Sequence, residues 1–192
     1  MTTRPTDLSE LTLLGTSSEV FQIGIEYYLS ARTAWDRVHY RIVGNLFHHG
    51  VEMMLKAILV RAGVTAQQIK GWSHSLPTLW DETKQRVTDD WSRFDQPIAE
   101  LHRWESIRFG QFPEGKHKSL RIDSHRVAGA IPGKPGHDEY RVCLEDMDEL
   151  FGVLCREIGF PPQAVRPIIG ASQEDYERDN RYAIKWPGPP DS

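Results

Sequence analysis

The chain has 192 residues, a formal net charge of −4, 39% hydrophobic and 26% charged residues; that composition fits one soluble globular domain with a real core and excludes a disordered chain. The acidic balance argues against a surface built wholly for nucleic acid, and no apolar run approaches the roughly 20 residues of a membrane span. The first ten residues lack the basic-then-apolar layout of a signal peptide. Cys143 and Cys155 are the only cysteines; on or beside one helix they would stand about 18 Å apart, too far to bridge, so a reducing cytoplasm is expected.

Residues 1–16 read as a flexible N-terminal arm. Ser17-Ser18-Glu19 offers an N-cap to a first helix carrying Val20, Phe21, Ile25, Tyr28 and Leu29 and ending near Trp35. A second helix over about 43–62 has apolar residues at Phe47, Val51, Met54, Leu55, Ile58, Leu59 and Ala62, the three-and-four spacing of one broad buried face, with Gly63 as its stop. Ser73 or Ser75 caps a third, with Pro77 in its first turn and Leu79, Trp80 and Val87 on it. The fourth runs from about Phe94 to Ile107 with Ile98, Leu101 and Trp104 at core spacing. From 109 to 139 the helical period is lost among glycines and prolines such as Gly110, Pro113, Gly129 and Gly133. Residues 109–143 therefore read as a long basic loop, with 119–123 and 139–143 as a short irregular strand pair and no sheet of consequence. The last helix starts at Leu144 with an acidic first turn, buries Met147, Leu150, Phe151, Leu154 and Ile158, and stops at Gly159-Phe160-Pro161-Pro162. Residues 161–192 form a C-terminal extension, partly disordered or laid across a neighbour. The pattern predicts an all-α fold, an antiparallel four- to five-helix bundle over 17–160.

Within the second helix, Glu52 and Leu55-Lys56-Ala57 are followed by Gly63 and then by His74-Ser75-Leu76-Pro77-Thr78-Leu79; Arg108-Phe109 follows the fourth helix. In that order and spacing the chain resembles the HEPN family of compact helical domains, over roughly residues 17–160. The resemblance implies a HEPN-like bundle, a prokaryotic defence or toxin–antitoxin setting with an antitoxin-like protein partner, and a homodimer. Catalytic members of that family cut RNA without metal, using an arginine and a histidine with four to six residues between them near a late helix. Here Arg121 and His125 are one residue too close, and Arg108 and His117 too far apart. Arg41 with His48, and Arg32 with His39, have the spacing but lie at the other end of the bundle. The expected function is thus a non-catalytic module binding a nucleotide, RNA or protein partner; the alternative is a metal-independent endoribonuclease, so whether the chain is an enzyme stays open.

Each candidate residue has a plainer reading beside its functional one. Glu52 and Lys56, four apart, point into a groove or form an ordinary helix ion pair near the surface. His74 orients a ligand or tethers the 64–76 loop by a hydrogen bond. His48, His49 and Glu52 suggest metal ligands, but consecutive histidines diverge by about 100°, so only one is expected over Glu52. No Glu-x-x-His pair appears on a second helix, and neither metal nor cofactor is expected. The segment 102–134 holds seven basic residues, Arg103, Arg108, Lys116, Lys118, Arg121, Arg126 and Lys134, against three acidic ones, while the remaining chain is strongly acidic. With His102, His117 and His125 in the same stretch, it either faces a phosphate backbone or stays a solvated loop. Arg108 or Arg121 would stabilise a phosphorane and His117 or His125 would move the proton if the chain cuts RNA. No Gly-x-Ser-x-Gly elbow, Walker loop or dinucleotide fingerprint is present.

Overall fold

Two long amphipathic helices, α1 (Ser17–Asp36) and α2 (Tyr40–Arg61), pack along each other across a three-residue turn. Their close approach depends on glycine. A Cβ on Gly24 would stand 2.7 Å from Met54 Cγ, and one on Gly50 would stand 3.1 Å from the Gly24 carbonyl oxygen. The computed structural model describes residues 17–108, 118–123, 138–160 and 180. The expected N-terminal arm lies outside them, as does all of the C-terminal extension except Asn180. Among the described residues the chain is mostly helical, and no helix is long and apolar enough to cross a membrane.

Helix α2 is the hub. It packs against α1, against the short helices α3 (Ala66–Trp72) and α4 (Leu76–Lys84), and against α5 (Asp95–Arg103), α6 (Glu105–Arg108) and α7 (Leu144–Ile158). The reason is its buried stripe, which includes Val43, Phe47, Met54, Leu55 and Leu59, so each later helix buries its own apolar face there. Helix α7 starts and stops where its acidic first turn and Gly159 put it, Gly159 taking φ +62° as the left-handed cap.

Elsewhere the chain departs from its sequence pattern. The stretch expected to be a loop over 64–76 contains α3, nucleated by a capping box: Gln68 N donates to Thr65 Oγ1 at 3.3 Å and Thr65 N to Gln68 Oε1 at 3.0 Å. Helix α4 ends at Lys84, so Val87 lies beyond it. The single fourth helix is two, broken at Trp104, whose indole packs against Gly44 of α2. A Cβ on Gly44 would fall 2.0 Å from Trp104 Cδ2. The long basic loop over 109–143 does hold the short strand pair expected at 119–123 and 139–143, each strand starting one residue earlier. It contains β1 (Lys118–Asp123) and β2 (Asp138–Cys143), paired parallel with Leu120 opposite Tyr140 and Ile122 opposite Val142. Period-two apolar placement drives it: Tyr140 and Val142 are buried, Arg141 between them less so. Tyr140 meets Trp104 edge to face at 6.1 Å, anchoring the strands on α5.

One buried polar centre joins α1 to α7. Asp148 accepts from Tyr28 Oη at 2.5 Å and from Arg32 Nη1 at 3.1 Å, and Tyr28 stacks on Phe151 at 3.9 Å. Asn180, from the extension expected to be partly disordered, is buried here and donates to the Tyr28 hydroxyl at 3.2 Å.

Candidate functional site

A second polar centre is built on two turns of α2. Glu52 is only 2% exposed, and its Oε1 accepts from Lys56 Nζ at 2.6 Å and from His74 Nδ1 at 2.8 Å. His74 stands on the α3–α4 connection, so this contact ties that connection to α2. The tether matches the plainer reading of His74; the Glu52–Lys56 pair, expected near the surface, has its carboxylate inside the protein instead. Burial pushes the Glu52 carboxyl up, but His49 and Lys56 beside it outweigh that and hold its pKa at about 2.

Both histidines before it reach the same carboxylate: His48 Nδ1 lies 3.8 Å and His49 Nδ1 3.5 Å from Glu52 Oε2. The expectation that only one would do so fails, because His48 and His49 are four and three residues before Glu52, and both spacings are neighbours on a helix. His48 is buried and His49 half-buried. Burial drives the His48 imidazole down to about pKa 3, so it is neutral at physiological pH.

The fold adds what the sequence reading lacked. Helices α5 and α6 cross α2 so that the His102 ring lies 6.0 Å from that of His48, with Glu105 Oε2 3.4 Å from His102 Nδ1. His48, His102 and Glu105 offer ligand atoms all within 4.8 Å of one another, as do His48, His49 and Glu52. His48 Nε2 and His102 Nδ1 are buried atoms without a hydrogen-bond partner among the described residues. His102-x-x-Glu105 reverses the order sought on a second helix, and the 54 positions between His48 and His102 hide their meeting from any local pattern. The legible signal was narrower: His48 sits in the buried stripe of α2 with Gly44, Val51 and Leu55, where a polar residue needs a reason.

Arg103 stands over the Tyr140 ring at 5.2 Å. Arg108 ends α6, Lys118 and Arg121 belong to β1, and His117 and His125 lie outside the described residues. A separate cleft of about 230 Å³ between α5 and β2–α7 is lined by Gln96, Glu100, Arg141 and Asp146 among others, and shares no residue with the histidines. Burial pushes the thiols of Cys143, on its rim, and of Cys155 up to about 12, so neither is a nucleophile at neutral pH. Compared with known proteins, the chain matches no protein-family model, no curated protein and no solved structure.

Proposed function

We propose that the chain is a HEPN-like antiparallel helical bundle that binds a phosphate-bearing ligand, RNA or nucleotide, without cutting it. The observation that carries the ligand class is the packing of β2 on β1 and on α5. Through it Arg103, Arg108, Lys118, Arg121 and Arg141 belong to successive elements packed one on the next, which supports a local positive field for phosphate. The family reading draws support from Glu52, Lys56 and His74: the motif residues that carry the resemblance hydrogen-bond to one another across 22 positions of sequence. The non-catalytic reading draws support from chemistry. His48 is neutral and buried, the Glu52 carboxylate is held by two cations or donors, and the thiols are inert.

The test is labelled single-stranded RNA, and separately a nucleotide, added to purified protein in EDTA. The expected result is salt-sensitive binding without cleavage, weakened in Lys118→Ala and Arg121→Ala, each lowering the salt slope by about one unit. Cleavage that disappears in Arg121→Ala and His125→Ala would replace this reading with the metal-independent endoribonuclease. Binding of neither ligand, with capture of a protein partner instead, would overturn the ligand class. The bundle is also proposed to pair as a homodimer in the cytoplasm, Val38 and Ile42 at the α1–α2 turn being exposed apolar residues; a monomeric mass in light scattering removes that part.

A further inference from the structure

We propose that His48, His102 and Glu105 form a binding site for one divalent transition-metal ion of the zinc class. Two imidazoles and one carboxylate are the donor set such ions prefer, with a fourth position left for water or a ligand atom. The hard cations magnesium and calcium want oxygen donors and do not suit it. The three ligand atoms lie within 4.8 Å of one another. The 3.4 Å between His102 Nδ1 and Glu105 Oε2 is about the edge of a tetrahedron whose bonds are roughly 2.0–2.1 Å long.

The unused atoms point the same way. His48 is 2% exposed, and its Nε2 has no partner among the described residues. Its Nδ1 faces Glu52 Oε2 at 3.8 Å, which leaves Nε2 as the nitrogen for a ligand. At 3.8 Å the carboxylate acts on the ring through its charge rather than through a hydrogen bond. The neighbouring group of His48, His49 and Glu52 is the weaker candidate, because Glu52 is already engaged by Lys56 and His74. Access comes from the other side, where His102 and Glu105 are 35% and 23% exposed.

The site is independent of phosphate binding, and its test reads metal alone. Full-length protein stripped with chelator is titrated with zinc by calorimetry and with cobalt(II) by visible absorption. One ion per chain and a tetrahedral cobalt spectrum are expected. His102→Ala and Glu105→Ala, both at partly exposed positions that leave the core intact, should each weaken zinc binding by about 10-fold or more. His39→Ala, on the α1–α2 turn, should leave it unchanged. Zinc binding that survives both His102→Ala and Glu105→Ala, or is lost only in His49→Ala, overturns the assignment. So does the lack of one-to-one binding in the stripped protein.

Discussion

The two buried polar centres are made of similar parts and differ in what holds them: one is closed around a carboxylate bonded at both oxygens, the other leaves two imidazole nitrogens open. At the Asp148 centre a carboxylate accepts from Tyr28 and Arg32, and Asn180 donates to the Tyr28 hydroxyl. At the His48 centre one carboxylate oxygen of Glu52 is satisfied twice, while His48 Nε2 and His102 Nδ1 are left without a hydrogen bond. A closed network holds helices in register, and an open one costs stability that only a ligand or a proton can return. The contrast separates a brace from a site.

Acid is the strongest way to break the comparison. Burial holds His48 at about pKa 3, against 6.5 in an open chain, so between those values the unfolded chain binds a proton that the folded one refuses. The metal-free protein should be fully stabilised by this group above pH 6.5 and lose on the order of 4 kcal/mol as pH falls toward 3. Glu52, held at about 2 against 4.5, adds a further loss below pH 4.5. Urea midpoints measured across this range should fall steadily, and the part above pH 4.5 should flatten in His48→Gln. A midpoint constant from pH 7 to 5 would contradict the buried neutral imidazole.

Breaking the closed centre comes next. Asp148→Ala removes the carboxylate that the buried Arg32 guanidinium bonds and should cost about 3 kcal/mol or more at neutral pH, read by the same denaturation. Gly44→Ala tests what fixes the open centre. Its methyl group would meet the Trp104 indole, costing about 1–3 kcal/mol and weakening zinc binding through His102 and Glu105. Tyr28→Phe keeps the stack on Phe151 and loses one hydroxyl, so about 1 kcal/mol is expected. If Tyr28→Phe were as damaging as Asp148→Ala, the closed centre would not be organised around its carboxylate.

How much of this the sequence exposed follows from how local each feature is. Helices α1, α2 and α7 were legible because their apolar spacing, caps and lengths are written in consecutive residues. Helix α3 was missed although Thr65 and Gln68 spell a capping box, because its seven residues bury only Ile69 fully and leave too short a stripe. The break at Trp104 was not legible, and the Gly44 on which its indole packs lies 60 positions earlier. Asp148 passed as part of an acidic helix start; its place among Leu144, Phe151 and Cys155 on the buried face was the clue that it pairs inside. The His74 tether was legible as an imidazole in a connection that needs holding to the bundle, but its partner Glu52 was not. The approach of His102 to His48 depends on how α5 crosses α2, a tertiary fact that no window of sequence contains.

Trp104 is both the joint between α5 and α6 and the plate that lies on Gly44. It also donates from Nε1 to the Arg141 carbonyl at 3.3 Å. His102 and Glu105 flank this joint, so their backbones cannot part without sliding an indole over a backbone that has no side chain to yield. A ligand arriving there meets partners already held at their working separation and gives up little entropy in ordering them. The donor set chooses the class of ion, and the seat of one tryptophan holds the two backbones that carry His102 and Glu105.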